Sequence, residues 1–567
     1  ASGAPSCLAA MKMKRVSGCD ICLSILTVIL LVMGVFGLTV LPGIYDNIVH
    51  KMTALTHNTY DESLGFSTLM FSKPPMINTM KFFFFNLTNV DEILYEGAKP
   101  RVVEVGPYTF IESEEKRYLK FRDDDKQIFY QNYKKWIYHD DLSCETCDYE
   151  DAVTIPNAVQ IGASASSYDP RYDISDTTQK IIAIFMLATG ENPFIMPRVG
   201  DLLFDGYNDA LLTAAHSNIV TFISNAFNSG VSIVPFPFPA MKTMAYFNGY
   251  NNSRDEEYWV HTGKDDIAQI GTIVSWAGQT LLPETWWTTE EARMINGTDT
   301  GSFAHPGLTE DDVLPMFHSY LCRSFNAVYE SRTEIKGIPS MTFSVPPSDW
   351  DTTLSRNKGF RYINYEGRDY FPGWLQCPNW NASNCKASAD DPIDCNNAEN
   401  LCDDCCNKGK IGESYVLPPG FFPLACYPGR LETSPFAVIW SPPHMLYSPE
   451  QVVQSVNGMR PDPDEHQPLV YEHEPYSGMI TRVTYRVQVN MPIFSNPDVP
   501  SNSHLPDAMV PMFYESSQAY LKDFTYTYFQ IGFVFMPIFL MWLSIAEIVL
   551  SVLIAIFILI LRSRRRF

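Results

Sequence analysis

The stretch KFFFFNLTNVDEILYEGAKPRVVEVGPYTF, Lys81 to Phe110, contains two runs of aromatic and β-branched residues separated by turn signals. Gly97-Ala98-Lys99-Pro100 and Gly106-Pro107 are typical of turns, because glycine and proline interrupt regular structure. Short β-like runs continue through FRDDDKQIFYQNYKKWIYH, Phe121 to His139. Residues of this kind favour a pleated, half-buried surface. The stretch therefore predicts a β-rich domain.

Outward from this stretch, the character of the sequence changes. From Ile155 to Phe227, Ala, Ile, Leu and Met recur at helical spacing, which predicts a helical insertion, residues 155–227. Strand patterns with Gly and Pro turns return from Met244 to Val345 and from Tyr415 to Val489. The segment Asn357 to Cys426, residues 357–426, is rich in Cys, Asn and Asp and poor in periodicity, so we expect a disulfide-held excursion.

Two apolar runs lie near the ends of the 567-residue chain. Ile21 to Leu41, residues 21–41, is long enough to cross a bilayer, and so is Met541 to Leu561, residues 541–561. A cleaved signal peptide is the alternative for the first run. However, the run is long, and no small-residue cleavage site follows it at LPGIYDN.

Basic residues flank the outer end of each run. They are Lys12, Lys14 and Arg15 before the first run and Arg562, Arg564, Arg565 and Arg566 after the second. The positive-inside rule then places residues 1–20 and 562–567 in the cytosol. Residues 42–530 would form one domain outside the cell or in a lumen, held by a membrane helix at each end.

The charge of this large segment limits its partners. Without the seven flanking bases, Asp20 and Glu547, 34 Lys and Arg remain against 62 Asp and Glu, a formal charge of about −28. Such a segment repels nucleic acid and anionic headgroups. We therefore expect no nucleic-acid partner.

Cysteines and sequons agree with an oxidising compartment. Ten of the 13 cysteines and all four N-x-[ST] sequons, Asn86, Asn251, Asn296 and Asn381, lie between the two apolar runs. An even number of cysteines there predicts disulfides, and the sequons predict glycosylation. The CxxC pairs Cys144/Cys147 and Cys402/Cys405 also fit zinc spacing, but this compartment favours disulfides. Cys19 and Cys22 border the first run, as palmitoylated cysteines do.

Blocks along most of the chain resemble the class B scavenger receptors, the family of the fatty acid translocase and of a lysosomal integral membrane protein. In addition to the opening stretch, the blocks are LLFDGYND, HTGKDDIAQIG, MINGTD, CRSFNAVYE, KGIPSMTF, PPHMLYSP, GMRPDPDEHQPLVYEHEPYSGM and RVQVN. They occur in the family's order. The resemblance implies an antiparallel barrel-like body with a helical apex bundle and an apolar tunnel toward the membrane. It also implies a disulfide between Cys322 and Cys426.

The apex departs from some members of that family, which carry lysines there to attract anionic ligands. The matching segment is LATGENP, Leu187 to Pro193, and its only charged residue is Glu191. Lys180 is the only Lys or Arg from Tyr172 to Pro197. We therefore expect neutral or weakly polar lipid cargo, such as a sterol, a sterol ester or a carotenoid.

Asp299-Thr300-Gly301-Ser302 spells the DTGS of an aspartic protease. Catalysis would need a second D[ST]G, and the chain has none. An apyrase would need a second phosphate turn, which is also missing. We therefore expect Asp299 to be an ordinary loop residue. Glu547, inside the second apolar run, is a candidate for a polar contact between helices, possible in a homo-oligomer, or for a transport role.

These observations predict an α+β membrane glycoprotein that binds lipid or lipoprotein particles and transfers apolar lipid, without catalysis, metal or cofactor. A two-span ecto-nucleotidase and a two-span cation-channel subunit are the alternatives. The tail Arg562 to Phe567 lacks a dileucine or tyrosine sorting signal, which favours the plasma membrane over a lysosomal or endosomal membrane.

Overall fold

The computed structural model describes residues 18–58, 63–167, 174–215, 243–362, 368, 370–371, 410–411, 414–415, 417–434 and 438–564. The chain divides into two compact units. One combines Ala1–Met52 with Phe524–Phe567, and the other is Thr53–Asp523. The second unit is shorter than the predicted domain 42–530, because the chain is helical on both sides of it.

The described α-helices concentrate in the two ends of the chain and in the predicted helical insertion. They are α1 Gly18–Thr39, α2 Leu41–Thr53, α3 Phe66–Ser72, α4 Val90–Glu96, α5 Ala158–Ser167, α6 Asp176–Ala188, α7 Ala210–Ala215, α8 Glu290–Arg293, α9 Glu450–Val453, α10 Pro463–His466, α11 Asp523–Phe529 and α12 Met536–Arg564.

The described strands all belong to the Thr53–Asp523 unit. They are β1 Met76–Leu87, β2 Val102–Arg122, β3 Gln127–Tyr138, β4 Ile155–Pro156, β5 Phe194–Ile195, β6 Ser253–His261, β7 Ile273–Trp276, β8 Thr298–Asp299, β9 Val313–His318, β10 Arg323–Ile335, β11 Ile338–Ser344, β12 Lys410–Ile411, β13 Ser414–Tyr415, β14 Phe422–Pro423, β15 Ile439–Ser441, β16 Leu469–His473, β17 Ile480–Ile493 and β18 Ala508–Leu521.

Most of these strands form one large sheet in the order β7-β6-β3-β2-β1-β18-β17-β16-β11-β10-β9-β8, with β15 and β14 attached beside β17. Neighbouring strands are antiparallel except β8 and β9. The two ends of the order meet, because Thr272 pairs with Thr298 and Ile273 N donates to Gly297 O at 2.8 Å. The sheet is thus nearly closed, which confirms the predicted α+β class with an antiparallel barrel-like body.

The opening stretch of the sequence supplies the centre of this sheet. β1 pairs with β18 on one side and with β2 on the other. Phe82, Phe84 and Phe85 of β1 are fully buried. Side chains alternate between the two faces of a strand, so consecutive phenylalanines supply core on both faces. A buried central strand therefore explains a run of four aromatic residues.

The helical insertion contributes α5, α6 and α7 to the described residues, and residues 168–173 and 216–227 of it lie outside them. Ser175 caps α6 by accepting a hydrogen bond from Thr178 N. α6 buries Ile182, Ala183 and Met186. Its opposite side exposes Ile181, Ile184 and Leu187.

In the terminal unit, α1 and α12 pack through small residues. A Cβ on Gly37 would lie 2.1 Å from Ser544 Oγ, and one on Gly34 would lie 2.7 Å from Ser544 O. Ser551 Oγ donates to Thr27 O at 2.9 Å. Small residues let membrane helices approach closely. Both Ile21–Thr39 and Asp523–Arg564 are long and apolar enough to span a bilayer, and Glu547 lies half-buried on α12.

Candidate functional site

Asp299 ends strand β8 and is 4% exposed, so the expectation of an ordinary loop residue is wrong. Its Oδ2 accepts hydrogen bonds from Tyr130 OH at 3.0 Å and from Asn132 Nδ2 at 3.0 Å. Gly301 has φ 70°, and a Cβ there would lie 2.7 Å from Tyr471 Cε1. The DTGS sequence is therefore a tight turn that follows a buried carboxylate.

A second buried carboxylate, Asp255 of β6, shares a hydrogen-bond donor with Asp299. Asn132 donates from its backbone N to Asp255 Oδ1 at 2.8 Å and from Nδ2 to Asp255 Oδ2 at 2.9 Å. The same Nδ2 serves Asp299. In an aspartic protease two carboxylates share one proton directly. Here an amide joins them instead, so the geometry is that of a structural pair.

Lysines and glutamates continue this polar region along β2 and β3. Glu112, Glu114 and Lys116 are spaced by two on β2 and therefore share one face of the strand. Lys134 Nζ on β3 lies 3.2 Å from Glu112 Oε1 and 3.2 Å from Glu114 Oε2. Lys116 Nζ lies 2.8 Å from Glu114 Oε1. The result is a ladder of alternating charges across two neighbouring strands.

Contacts between distant strands show that this ladder lies inside the curved sheet. Lys134 of β3 lies 4.8 Å from the ring centroid of Tyr320, which follows β9. His318 of β9 stacks on Tyr485 of β17 at 4.7 Å, although three strands separate β9 from β17 in the sheet. Such side chains meet only across the concave face. We call Glu112, Glu114, Lys116, Asn132, Lys134, Asp255, Asp299 and Glu515 the charged cluster.

Further along the same face, phenylalanines replace the charged residues. Phe110 precedes Glu112 by two residues on β2. Phe82 of β1 packs against Phe110, with 5.7 Å between their ring centroids. Phe204 and Phe247 extend the contact, each ring within 6 Å of a neighbouring ring. Phe513 of β18 lies 5.9 Å from Phe82 between ring centroids. We call Phe82, Phe110, Phe204, Phe247 and Phe513 the phenylalanine cluster. The concave face thus has an aromatic part and a charged part.

Burial and neighbouring charges set the protonation of the charged cluster. Burial alone would raise the pKa of Glu114, but Lys116 and Lys134 lower that pKa to about 2. Burial and the charge of Asp299 raise the pKa of Asp255 well above its usual value. Burial also raises the pKa of Asp299, although Lys116 opposes this effect. Glu114 is therefore ionised, whereas Asp255 and Asp299 take up protons more readily than exposed aspartates do.

Glu515 of β18 belongs to the same electrostatic group. Burial raises its pKa to about 8, and the charge of Glu112 contributes. The cluster contains five carboxyl groups and two lysines, so three of its carboxyl groups have no lysine to balance them. Three carboxyl groups also have a raised pKa. Proton uptake by Asp255, Asp299 and Glu515 would bring the cluster close to neutrality.

Among the described residues of the Thr53–Asp523 unit there are two disulfides. Cys322, just after β9, is bonded to Cys426, with 5.9 Å between their Cα atoms, and both residues are fully buried. Trp287 Nε1 donates to Cys322 O at 2.7 Å and covers this bridge. Cys144 is bonded to Cys147 within the turn that follows β3. Cys377, Cys385, Cys395, Cys402, Cys405 and Cys406 lie outside the described residues.

The candidate modification sites differ in environment. Asn251 and Asn296 are exposed and Asn86 is half-buried; Asn86 accepts a hydrogen bond from Thr154 N, and Asn251 accepts one from Trp136 N. Asn381 lies outside the described residues, and so does the side chain of Cys19. Cys22 is an exposed free cysteine on α1. Glycosylation and palmitoylation of these residues stay predictions.

At the predicted apex the acid of the LATGENP segment turns inward. Glu191 Oε1 accepts a hydrogen bond from Leu211 N at 3.1 Å, and Oε2 accepts one from Asn157 Nδ2 at 2.9 Å. Burial and the charge of Asp209 raise the pKa of Glu191 to about 7. Lys180 is exposed on α6. Within the described part of the chain, no group of three or more His, Cys, Asp or Glu side chains is arranged to hold a metal ion.

The charged cluster was missed in the sequence, where Glu112 to Arg117 has the composition of a solvated surface. The alternation of residues on β2 is the signal that could have separated its two faces. The remaining members come from β3, β6, β8 and β18, far apart in the sequence. No local pattern connects them.

Comparisons with known proteins cover both compact units. The model of the CD36 family matches residues 23–562. The chain is 41% identical to an uncharacterized protein of Caenorhabditis elegans over 89% of this chain and 90% of that protein. It is 28% identical to lysosome membrane protein 2 of Mus musculus, over 82% and 78% of the two chains. It is 24% identical to scavenger receptor class B member 1 of Rattus norvegicus, over 91% and 84%. These matches confirm the resemblance to the class B scavenger receptors.

Proposed function

Because this chain belongs to the CD36 family, we propose that it is a scavenger-receptor-like membrane protein that binds lipid or lipoprotein particles and passes apolar lipid through its large unit toward the bilayer. The family match over residues 23–562 carries this proposal, because it includes both candidate membrane helices and the whole barrel-like sheet. No catalytic step is required for such transfer.

The phenylalanine cluster supports an apolar cargo. Its rings are largely buried and make one part of the concave face apolar, an environment that hydrocarbon favours over water. Each buried methylene contributes about 0.8 kcal/mol, so a lipid chain supplies its own driving force. The charged cluster is unsuited to hydrocarbon, which favours a route that contacts the aromatic part of the face.

The apex supports a neutral or weakly polar cargo, such as a sterol, a sterol ester or a carotenoid. α6 exposes Ile181, Ile184 and Leu187, while Glu191 is engaged by hydrogen bonds of the fold. Anionic particles are steered by positive potential. A helix with apolar exposed residues and the single base Lys180 favours capture by apolar contact.

Lipid analysis of the full chain, purified in a maltoside detergent, tests the proposal. Organic extraction and mass spectrometry should recover neutral lipids in excess over a detergent-solubilised membrane protein of similar size. Cells that express the chain should also take up a fluorescent sterol ester faster than untransfected cells, with little dependence on salt. Uptake that polyanions block and that falls steeply with salt would contradict the neutral cargo.

We place the protein at the plasma membrane, with a lysosomal or endosomal membrane as the other location. Surface biotinylation of intact cells distinguishes the two, because only chains at the plasma membrane react. Divalent-dependent hydrolysis of ATP by the full chain would support the ecto-nucleotidase alternative instead. The burial of Asp299 and its hydrogen bonds to Tyr130 and Asn132 disfavour a phosphate-binding turn there.

A further inference from the structure

A surface pocket of about 430 Å³ lies beside β2 and β3. Its volume is within the range of small-molecule sites, roughly 300–1,000 Å³. Five aromatic residues line it, namely Phe110, Trp136, Tyr138, Tyr149 and Phe204. We call it the aromatic pocket.

The rings of the aromatic pocket are tilted against one another rather than stacked flat. Phe110 and Phe204 have centroids 5.0 Å apart at 51°, and Tyr138 and Tyr149 have centroids 5.2 Å apart at 54°. Trp136 lies 5.7 Å from Phe204. Differently oriented rings present several π faces to one space, which is the arrangement that attracts an organic cation.

Three aspartates, Asp140, Asp148 and Asp205, also line the aromatic pocket, and all three are exposed. Within the described part of the chain, none of them forms an ion pair with Lys, Arg or His. Tyr149 OH donates to Asp205 Oδ2 at 3.0 Å. Burial raises the pKa of Tyr138, and the charges of Asp140 and Asp148 raise it further. The potential in the pocket is therefore negative.

Trp136 places a buried polar donor in the wall of the aromatic pocket. Its side chain lines the aromatic pocket and is 4% exposed, yet its Nε1 has no acceptor among the described residues. A buried donor without an acceptor is costly, and a bound molecule or water satisfies it in most proteins.

We propose that the aromatic pocket binds an organic ammonium cation of the choline type, with the rings around its alkyl groups and the aspartates opposite its charge. The site shares Phe110 and Phe204 with the phenylalanine cluster, but binding of a cation there does not require the transfer of apolar lipid. The trimethylammonium group can come from free choline or from a phosphatidylcholine headgroup.

Calorimetric titration of the full chain in maltoside tests the proposal. Choline should bind with a dissociation constant of about 1 mM or tighter, as expected for a ligand of this size. Its neutral carbon isostere, 3,3-dimethylbutan-1-ol, should bind at least about tenfold more weakly, because it lacks the charge. Equal binding of the two, or no binding of choline, would overturn the proposal. Competition by phosphatidylcholine vesicles, but not phosphatidylglycerol vesicles, identifies a lipid source, whereas no competition identifies the free amine.

Adjacent aspartates supply a matched pair of variants. Asp140 lines the aromatic pocket, and Asp141, also exposed, does not. Asp140→Asn should weaken choline binding about three- to tenfold, and Asp141→Asn should change it less than about twofold. An equal loss in both variants would mean a general surface-charge effect and would overturn the site. Phe204→Leu, verified as folded by thermal unfolding, should weaken choline binding and leave that of the neutral isostere nearly unchanged.

Discussion

Glu515 carries the residue-scale prediction about pH. Its raised pKa, about 8, means that the folded chain holds a proton that the unfolded chain, with a glutamate pKa near 4.5, has lost. The stability contributed by that proton is present at low pH and is lost as pH rises toward 8. From pH 6.5 to 8 we expect this residue alone to remove about 1–2 kcal/mol of the free energy of unfolding.

Glu515→Gln should therefore flatten the decline of stability between pH 6.5 and 8, measured by denaturant unfolding, while the exposed Glu96→Gln should leave the decline unchanged. Glu191, with a pKa raised to about 7, contributes to the decline of stability in the parent chain and in the Glu515→Gln variant alike. Below about pH 6.5 buried histidines act in the opposite direction, because their pKa values are lowered by burial; they are His318, His466 and His473. A variant as pH-sensitive as the parent chain would contradict the role of Glu515.

Residue types alone could predict little of the charged cluster. Glu112 and Glu115 look alike in the sequence, yet Glu112 is 9% exposed and Glu115 lies on the other face of β2. Strand periodicity separates the two faces but does not say which one is covered. That depends on Asp299 of β8 and Asp255 of β6 arriving from more than 130 residues away. Charged runs face solvent in most proteins, so nothing in this run indicates that one of its faces is covered.

At the scale of elements, the Cys322–Cys426 bridge closes a long stretch of chain. The two cysteines are 104 positions apart. In the chain-entropy model a loop of this length contributes about 4–5 kcal/mol, whereas the three-position Cys144–Cys147 bridge contributes about 2 kcal/mol or less. We therefore expect the double variant Cys322→Ser/Cys426→Ser to unfold at a clearly lower temperature than Cys144→Ser/Cys147→Ser. Non-reducing peptide mapping that finds Cys322 bonded to another cysteine would contradict this pairing.

Helix α6 carries the prediction about cargo. Ile184 is 66% exposed, so Ile184→Glu should fold normally while it places a charge on the apolar side of the helix. We expect sterol ester uptake by expressing cells to fall at least about threefold. A cargo bound to α6 would then bury the carboxylate of the new glutamate without a partner, which is energetically costly. Leu69→Glu, at a 47% exposed leucine on α3, is the matched control. Similar uptake by the two variants would exclude α6 as the capture surface.

Elements of strong local pattern were well predicted, and compact irregular ones were not. The run QIFYQNYKKWIY, for example, is rich in aromatic and β-branched residues, was predicted to be β, and forms β3. The predicted second span, 541–561, is contained in the longer α12, which directly follows a π-helical segment, Gln530–Phe535, and begins one residue before Pro537. Strands of two residues, such as β8, have no signature that a sequence pattern could reveal.

For the whole molecule, the flanking bases and the four sequons predict a hairpin topology with both termini in the cytosol. Glycosidase should lower the apparent mass of the chain. Protease added to intact cells should cut within residues 53–523 and spare epitope tags at both termini, because the bilayer protects them. Permeabilised cells are the control, in which both tags should disappear. Loss of either tag in intact cells would overturn the topology.

The barrel-like shape itself could not be derived from the sequence, although the resemblance to the class B scavenger receptors implied it. Periodicity predicts strands, but the order in which β1 lies beside β18, more than 400 residues away, depends on packing of the complete sheet. Likewise, the division of the concave face into the charged cluster and the phenylalanine cluster depends on which side chains meet across the curved sheet. Only the family resemblance carried information at this range.

Where β7 meets β8, the strand pairing is much shorter than between the long strands of the sheet. Elsewhere β1, β2, β17 and β18 are joined by long ladders. Here the four-residue β7 and the two-residue β8 meet through the bridge between Thr272 and Thr298 and the hydrogen bond from Ile273 N to Gly297 O. Short pairings open at lower free energy than long ones. We therefore expect the junction of β7 and β8 to open locally more often than the rest of the sheet. The amide hydrogen of Ile273 should exchange well before that of Phe84. A side opening of this kind would let a bulky molecule enter or leave the interior while the long strands stay intact.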